Sequence, residues 1–417
     1  MHSLLHALRG CNECEFSKNK GNVRKLCNFV KCANPKLIIN NMTLQIKKIS
    51  TRKEFKTFAR FANKLYKGNP YYVPSMPFDD LNTFDPKTNG AFDFCEAEFY
   101  LAYQDGEVVG RVAAIINHKA NEAWKVKQVR FGWIDFIDDI NVSSALLEAV
   151  AEFGRSHGMT QIVGPLGFTD FDPEGMLVEG YDKVSTMALI YNHPYYPEHL
   201  KKLGYGKETG WMEFRLTLPQ TPPDQHARLA GLVQERYNLK LVKKTRRQIL
   251  KENYGQKVFQ LINQTYCKLY GFSILSEKQI DQYVSTYLTF VDAKMLTFVE
   301  NEEGELIAAG LSIPSIAGAL QKSRGELFPF GWWHILKTMF IKRPDTVELL
   351  LVGVRPDYQN RGVNSLIVND LINIYREMGF KYAETNACLE TNVKIHAMWE
   401  PFEKEQHKRR WVFGKEL

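Results

Sequence analysis

Two segments of the chain repeat the same succession of elements at a constant distance of 221 residues. Each reads as an apolar strand, an amphipathic helix, a glycine stop and a second strand. The glycines are Gly158 and Gly379, and the second strands cover Gln161–Gly164 and Lys381–Thr385. An ungapped match over four elements predicts an internal duplication. The helices are suited to join parallel strands.

Paired strands precede each repeated segment and enlarge the predicted sheet. The turns between them contain Asp105-Gly106 and Glu303-Gly304, which are typical of hairpins. Each half is therefore predicted to be a mixed, mostly antiparallel sheet flanked by helices. The fold class is α+β or α/β, with two similar domains.

The composition divides the chain into a tail and two halves. A proline-rich stretch, Pro219–Pro223, separates two periodic regions, so we expect domains at residues 42–218 and 219–417. Residues 1–41 carry +5 of the net charge of +7, and we expect them to form a disordered tail. The alternative for the tail is a small zinc site made by four cysteines, Cys11, Cys14, Cys27 and Cys32.

Charge and hydropathy exclude several classes of protein. Without its tail the chain is nearly neutral, which removes the electrostatic basis for binding nucleic acid. No stretch has the roughly 20 consecutive apolar residues of a spanning helix. The first residues are too short an apolar run for a secretory signal. We expect a cytoplasmic protein that needs no metal, with peripheral contact to the inner membrane face as a further expectation.

One apolar stretch, Leu327–Ile341, stands out and is called the aromatic segment below. It reads LFPFGWWHILKTMFI, with Trp332 and Trp333 at its centre and one lysine, Lys337. The favoured interpretation is a core helix. The alternatives are a lid or groove for an acyl chain, or a helix that lies in a membrane interface. In either alternative Trp332 and Trp333 would contact the substrate or the lipid.

The turn after the second-half strand, Arg355–Ser365, has the composition of an anion site. It leads directly into a helix, whose N-terminus carries about half a positive charge. Successive backbone N–H groups in such a turn form a concave site for anions. Arg361 adds a full charge, and Gly362 lets the backbone approach a ligand closely. A pyrophosphate is the predicted ligand.

This turn resembles the acyl-CoA turn of the GNAT (GCN5-related N-acetyltransferase) superfamily, which reads Q/R-x-x-G-x-G/A before a helix. Gln359, Arg361 and Gly362 stand in that pattern, and Asn364 replaces the last small residue, where we expect it to cap the helix. The resemblance implies acetyl-CoA or long-chain acyl-CoA as co-substrate, with the preceding strand binding the pantetheine arm. The implied binding residues are Leu351, Val352, Val354, Gln359, Asn360, Arg361, Gly362, Val363, Asn364, Ser365 and Asn392.

The resemblance extends over about residues 43–417, a stretch that is similar to bacterial paired-GNAT N-acyltransferases. Four phrases carry it: GPLGFTDFDPEG, NHPYYPEHLKKLGY, VGVRPDYQNRGVN and FEKEQHKRRW. The first half has Asp138-Asp139 where the second has its anion turn, and two acids would repel phosphates. We therefore expect a degenerate first copy that shapes the acceptor site, and an acyl-CoA site in the second half.

The catalytic residues are less well determined than the co-substrate site. Many GNAT domains carry a tyrosine that protonates the leaving thiolate, but Trp399 stands at that spacing from Asn392. Glu348 and Glu384 are the carboxylates nearest the expected cleft, and Glu384 is favoured as the base. Tyr358 and His396 are the favoured candidates for the acid, with Tyr382, Tyr195 and Tyr196 as further candidates.

The first half contributes candidate acceptor-binding residues. Its loop after Gly164 is about 21 residues longer than the second-half equivalent and carries Asp170, Asp172 and Glu174, which are suited to attract a cationic amine. Tyr195 and Tyr196 open the helix that follows. The alternative is an ordinary solvated loop.

The predicted function is transfer of an acyl group from acyl-CoA, or from an acyl carrier protein, to a primary amine. A long-chain sphingoid-type amine fits the aromatic segment. The alternatives are a soluble N-acetyltransferase for a small amine and a non-catalytic acyl-CoA sensor, which the missing tyrosine suggests.

Overall fold

The computed structural model describes residues 44–220, 224–287 and 291–417. The predicted tail at residues 1–41, with its four cysteines, lies outside these described residues, as do Pro222 and Pro223 of the predicted boundary. Residues 44–417 make up one compact unit.

A single sheet extends through both halves of the described chain. Fourteen strands form it among the described residues: β1 Leu44–Lys48, β2 Cys95–Gln104, β3 Glu107–Asn117, β4 Gln128–Phe136, β5 Gln161–Gly164, β6 Met176–Glu179, β7 Gly206–Thr217, β8 Lys240–Val242, β9 Leu296–Glu300, β10 Leu306–Pro314, β11 Thr346–Val354, β12 Tyr382–Thr385, β13 Cys388–Leu389 and β14 Lys404–Glu416. Among the described strands only β4–β5 and β11–β12 pair in parallel, so the predicted mixed, mostly antiparallel sheet is confirmed.

Helices flank this sheet on its two faces. The described residues include thirteen α-helices: α1 Arg52–Leu65, α2 Pro77–Thr83, α3 His118–Trp124, α4 Ile140–Ser156, α5 Tyr195–Lys202, α6 Asp224–Arg236, α7 Arg246–Lys251, α8 Tyr254–Tyr266, α9 Glu277–Tyr287, α10 Ala317–Ser323, α11 Gly331–Leu336, α12 Asn364–Glu377 and α13 Val393–Met398. None of the described helices is long and apolar enough to cross a membrane.

The two halves exchange their last strands at the centre of the sheet. The strand order is β1-β2-β3-β4-β5-β14-β7-β12-β11-β10-β9-β8. Strand β7 belongs to the first half in sequence but pairs with β12 of the second, while β14 pairs with β5 of the first. The two exchanged strands also pair with each other from Gly206 to Leu216. Strand hydrogen bonding therefore runs across the predicted boundary near residue 218.

The register of the parallel strands corrects the ungapped match between the halves. Gln128 pairs with Gln161 in the first half, and Thr346 pairs with Tyr382 in the second. The second strands of the two units correspond at an offset of 221, but the first strands, β4 and β11, correspond at an offset of 218. The second half therefore has three additional residues in its strand-to-helix turn. The match was misplaced because an apolar strand tolerates a slip that the helix stripe does not.

The crossover helices α4 and α12 pack in the same way on their parallel strands. Leu146 of α4 shares a buried core with Val129 of β4, and Ile367 of α12 shares one with Val347 of β11. Burial of each such side chain stabilises the fold by about 1.5–3 kcal/mol. Both helices end before a glycine at positive φ, Gly158 and Gly379, as predicted from the sequence.

The aromatic segment is not a core helix, so the favoured sequence interpretation is wrong. It forms the short helix α11 followed by a π-helical turn, Lys337–Ile341. Only Gly331 and Met339 are fully buried in these two elements. Trp332 and Trp333 remain 45% and 44% exposed. The apolar periodicity could not reveal this, because it does not show which face of a short helix meets the core.

Candidate functional site

A slot opens in the second half where the parallel strands β11 and β12 separate. They pair only over Thr346–Leu349 on β11, although that strand continues to Val354. A β-bulge lies in β11 at this point, opposite the step from Leu311 to Ser312. Leu350, Leu351 and Val352 are half-buried along the open edge. The slot is thus a strand edge without a strand partner.

Side chains bind the carbonyl groups along this edge and leave its N–H groups available. The Tyr266 hydroxyl donates to the Val352 carbonyl at 3.0 Å, and the Gln359 amide donates to the Val354 carbonyl at 3.1 Å. Arg355 N–H faces the other way and donates to Ile307 of β10 at 2.8 Å. Because strand residues alternate, the N–H groups of Val352 and Val354 point into the slot.

An apolar cavity of about 30 Å³ lies beside the slot, under helix α8. Leu351, Leu311 and Gly310 line it from the sheet, and Phe259 and Ile262 line it from α8. Leu351, which was predicted to bind the co-substrate, thus faces this cavity rather than solvent alone.

The turn after β11 presents unpaired backbone donors, as an anion site requires. Among the described residues, no acceptor is bonded to the N–H groups of residues 360–364. Two residues of the turn have positive φ, Asn360 at 61° and Gly362 at 79°. The Arg361 guanidinium lies 5.2 Å from the ring centres of Tyr237 and Tyr358, which holds its charge beside the turn. Consecutive free N–H groups at a helix N-terminus fit a pyrophosphate.

Two details of this turn differ from the expectation. The helix α12 starts at Asn364 with Val363 as its N-cap, and no side chain caps it, so the prediction that Asn364 caps the helix is wrong. The Cβ that an alanine would add at Gly362 would meet Val233 and Leu229 of α6 at 3.1 and 3.2 Å. Gly362 is thus required by packing and by its φ, because its Cβ position faces a helix. Ser365 donates its hydroxyl to the Gly362 carbonyl and stabilises the turn.

Two carboxylates lie side by side where the slot begins. Glu348 of β11 and Glu384 of β12 are register partners in the parallel pair. Glu348 is buried and accepts a 2.6 Å hydrogen bond from the Ser315 hydroxyl. Burial raises the pKa of Glu348 to about 7, although the Ser315 hydrogen bond and the charge of Lys408 oppose the shift. A carboxyl group with this pKa is suited to accept a proton near neutral pH.

Glu384, the base favoured from the sequence, lies instead against a histidine and a lysine of β14. Its carboxylate lies 2.7 Å from His407 Nε2 and 3.8 Å from Lys408 Nζ. Lys408 also contacts the buried Glu213 at 3.1 Å. Burial raises the pKa of Glu213, but Arg410 and Lys408 together outweigh it and lower the pKa to about 2. Glu384 therefore belongs to a buried charge network on β7, β12 and β14.

The first-half loop after β6 reaches this network. Lys408 Nζ donates to the Val184 carbonyl at 3.1 Å, and Arg410 donates to the Ile190 carbonyl. The backbone of Met187 lies beside Glu348, and its side chain packs against two cores, one in the second half and one that residues of both halves share. First-half residues thus line the region in front of the carboxylates.

The other catalytic candidates lie away from the two carboxylates. Tyr358 lies in the anion turn, between the guanidinium groups of Arg355 and Arg361. The strand between this turn and the carboxylates spans about 20 Å from Glu348 to Val354. His396 contacts the Leu389 carbonyl at 2.9 Å and packs on Phe214, on the face of the sheet that α12 covers.

The residues of the helix α13 are occupied in structural contacts. Asn392 caps this helix by accepting a hydrogen bond from Ile395 N–H at 3.3 Å. Trp399, which stands at the position of the family tyrosine, is 6% exposed and belongs to the core beneath α12. Nothing in this arrangement supplies a hydroxyl at that position.

The acidic loop of the first half fills that half's own slot. Leu166 N–H donates to the Phe131 carbonyl of β4 at 3.0 Å, and Arg130 Nη1 donates to the Gly167 carbonyl at 3.2 Å. Burial in this position raises the pKa of Asp170 to about 6 and that of Asp172 to about 7. The pKa of Glu174 is also raised, first by burial and then by Asp170. These acids are partly buried in the loop that fills the slot. The loop is therefore not the ordinary solvated loop of the alternative interpretation.

Tyr195 and Tyr196 lie with the core of the first half. Tyr196 is fully buried, stacks on Phe136 at 4.1 Å between ring centres and accepts from Phe136 N–H at 2.9 Å. Tyr195 is half-buried and donates to the Phe136 carbonyl at 2.6 Å. Tyr196 therefore serves packing, which corrects its assignment to the acceptor site.

Sequence reasoning underestimated three contributors to the site: Glu348, Ser315 and Tyr266. Glu348 was noted but not favoured, because its burial depends on Met187 and Ser315, which are distant in sequence. The only sequence signal was a lone acid within the apolar run of β11. In the described part of the chain, no group of His, Cys, Asp and Glu is placed to hold a metal ion.

Comparisons with known proteins show similarity to one family over part of the chain. Residues 257–402 match the model of the acetyltransferase (GNAT) family. The protein YghO of Escherichia coli is 26% identical over 377 residues, which cover 88% of this chain and 94% of that protein. A bacterial ceramide synthase of Caulobacter vibrioides is 24% identical over 386 residues, which cover 90% and 98%.

A solved structure shares the fold of the whole described unit. It is a tandem GNAT protein from the clavulanic acid biosynthesis pathway, with a TM-score of 0.52 at 13% identity. The match covers 90% of this chain and 98% of that one. At this identity the likeness shows the fold alone.

Proposed function

We propose that the chain, whose residues 257–402 match the GNAT family model, is an N-acyltransferase that acylates the primary amine of a long-chain lipid. The acyl donor in this proposal is a long-chain acyl-CoA bound in the second half. The observation that carries the proposal is the open slot, which joins an anion turn to a buried carboxyl group with a pKa near neutrality.

The residues of the second half fit an acyl-CoA. The free N–H groups of residues 360–364, the N-terminus of α12 and Arg361 would hold the pyrophosphate. The N–H groups of Val352 and Val354 would bind the pantetheine arm along the slot. The bound thioester would supply the activated acyl group. Asn360, Gly362, Val363 and Ser365 shape the turn rather than contribute charge.

Glu348 is the base in this proposal. A primary amine is protonated in neutral water, so it must lose a proton before it can attack a carbonyl carbon. With a pKa of about 7, Glu348 can accept this proton and release it to solvent in the next cycle. Ser315 holds the carboxylate in place through its 2.6 Å hydrogen bond. Glu384, with its charged partners, would tune the pKa of Glu348 across the strand pair.

Two observations favour a lipid acceptor. The relative of 24% identity is named as a ceramide synthase, and a ceramide is the amide of a long-chain amine. The first-half loop that carries the apolar residues Val184 and Met187 contacts Lys408 and lies beside Glu348. An apolar approach of this kind suits an acceptor whose amine is attached to a long chain.

The test is direct. Purified protein would be incubated with sphinganine and palmitoyl-CoA, and the amide would be measured by mass spectrometry together with released CoA. We expect equal amounts of amide and free CoA and, at palmitoyl-CoA concentrations below the KM, a decrease of both in Arg361→Glu. Absence of amide with donors of both short and long chain would overturn the proposal. An acyl carrier protein loaded with the same chain is the second donor to try.

A soluble N-acetyltransferase for a small amine is the second candidate. The observation in its favour is the cavity beside the slot, which at about 30 Å³ is small for a long acyl chain. Faster turnover with acetyl-CoA than with palmitoyl-CoA at saturating donor would favour this candidate. Turnover with either donor would also exclude a non-catalytic acyl-CoA sensor.

A further inference from the structure

The aromatic segment exposes a continuous run of large apolar side chains. Phe328 is 80% exposed, Phe330 68% and Ile341 64%, while Trp332, Trp333 and Phe340 are between 44% and 47% exposed. Six such side chains within 14 consecutive residues exceed the scattered apolar residues of an ordinary surface. The run therefore requires an occupant.

The inner side of the segment is firmly attached to the protein. Met339 is buried and shares a small core with Val73, Ile316 and Leu320. Before the segment, the Gln321 amide donates to the Pro70 and Tyr72 carbonyls at 2.8 and 3.0 Å. These contacts tie the segment to the first half, so its exposed side is a fixed surface.

The surroundings of the segment are basic. From Lys322 to Asp345 the chain has five Lys and Arg against two acids, a net charge of +3. Two ion pairs join this stretch to other elements: Glu326 to Arg60 at 2.9 Å, and Arg343 to Asp292 at 3.6 Å. The remaining cations are exposed and form no ion pair among the described residues: Lys322, Arg324, Lys337 and Lys342.

We propose that the aromatic segment is a membrane-docking surface that inserts its aromatic side chains into an anionic lipid bilayer. Trp and Phe favour the boundary between headgroups and acyl chains, and flanking lysine and arginine bind anionic headgroups. The helix α11 has six residues, too short to cross a bilayer, so it lies along the interface. The charge of the surface complements an anionic membrane and opposes binding to a second copy of itself.

The docking surface adjoins the carboxylates of the candidate site. Ile316, in the core beneath the segment, follows Ser315, which donates to Glu348. Met187 contacts the same core and lies beside Glu348. Delivery of a membrane-borne amine to Glu348 rests on the proposed function, whereas docking itself does not.

Vesicle binding tests the docking surface without any substrate. The full-length protein would be sedimented with vesicles of phosphatidylcholine alone and, separately, with vesicles that contain roughly 30% phosphatidylglycerol. We expect binding to the anionic vesicles, a decrease with added salt, and a loss of about ten-fold or more in Trp332→Ser/Trp333→Ser. A matched pair of single variants refines the test: Ile341→Ser should weaken binding, whereas Ile274→Ser, at 59% exposure elsewhere, should not.

The outcomes are separable from those of the proposed function. Thermal unfolding and acyl-CoA binding of each variant establish that it is folded. The proposal would be overturned if the double tryptophan variant bound anionic vesicles as tightly as the wild type does. It would also be overturned if the wild type did not bind them at low salt. If the wild type and the variant both bind vesicles but only the wild type binds an acyl carrier protein, the surface would be assigned to the carrier protein instead. If no amide is formed, the proposed function is contradicted, whereas the vesicle result still supports the docking surface.

Discussion

The two halves share a strand–helix–strand unit but treat the gap between its parallel strands in opposite ways. In the first half the chain fills the gap itself, because Leu166 donates to Phe131 and Arg130 holds the following carbonyls. In the second half the edge of β11 stays open, and side chains bind only its carbonyl groups. By register, Arg130 and Glu348 occupy the same position in the two units.

The difference shows how one duplicated scaffold can acquire two roles. In the first half the gap is filled, and the loop after β6 contacts Lys408 and Arg410, which contact the buried Glu213. The open gap is followed by a turn that is longer by three residues, and this turn is the proposed ligand site. The exchange of β7 and β14 joins the two halves in one sheet. Substitutions at equivalent positions of the two halves should therefore have unequal effects.

The largest effect is expected at the carboxyl group of the open slot. Glu348→Gln should lower kcat by about 10²- to 10⁴-fold, because removal of a general base has costs of this order. Wild-type activity should rise with pH through about 7, where Glu348 ionises. Steady-state kinetics from pH 5 to 9 would measure both, and Glu384→Gln decides between the two carboxylates. A loss confined to Glu384→Gln would assign the base to Glu384.

The same residue should affect stability in a predictable direction. Its pKa is raised from 4.5 to about 7 in the folded protein, so the folded state holds the proton more tightly than the unfolded state. The free energy of unfolding should therefore fall as the pH rises from about 4.5 to about 7, by an amount that Glu348→Gln removes. Urea denaturation at several pH values would show a steeper decline for the wild type. Equal slopes would contradict the raised pKa.

The next effect is expected at the anion turn. Arg361→Glu should raise the KM for acyl-CoA by about 10- to 100-fold, because a charge-assisted hydrogen bond is worth about 1.5–3 kcal/mol. In the first half, Asp138→Asn changes the corresponding turn, where the aspartate is exposed beside His199. Isothermal titration with CoA would compare them, and we expect only the second-half variant to bind more weakly. Equal losses would mean that both turns contact the ligand.

A smaller effect should follow from crowding the filled gap. The Cβ of Gly132→Ala would lie 2.5 Å from the Leu166 carbonyl oxygen, so the loop that fills the gap must shift. We expect a loss of about 1–3 kcal/mol in the free energy of unfolding, with CoA affinity unchanged. The control is Gly318→Ala, where no atom beyond its chain neighbours and its own helix backbone lies within 4 Å of the new Cβ. A stability loss as large in the control would indicate a general intolerance of alanine.

The smallest effect distinguishes the helix starts of the two units. Asp139 caps α4 by accepting from Asn141 N–H at 2.9 Å, whereas Asn364 caps nothing at the start of α12. Asp139→Ala should therefore cost about 1 kcal/mol of stability, and Asn364→Ala less than about 0.5 kcal/mol. Thermal unfolding of both variants would measure the difference. The reverse order would restore Asn364 as a cap.

Much of the fold followed from local patterns in the sequence. The hairpin turns at Gly106 and Gly304, the helix stops and the strand–turn–helix around Gly362 were confirmed because each depends on neighbouring residues. The offset between the halves was wrong in its first strand, since an apolar strand has no periodicity that fixes its register. The site residues Gln359 to Ser365 could be named for the same local reason as the turn.

The sequence by itself thus determined the elements, the mixed sheet and the turn suited to an anion, because short-range sterics and periodicity define them. The tertiary structure decided which slot is open, which carboxyl group has a raised pKa and which apolar segment faces outward. Those properties depend on contacts across the sheet, as between Met187 and Glu348 or between Leu166 and Phe131. Burial and strand exchange arise only when distant residues meet, and no local pattern records them.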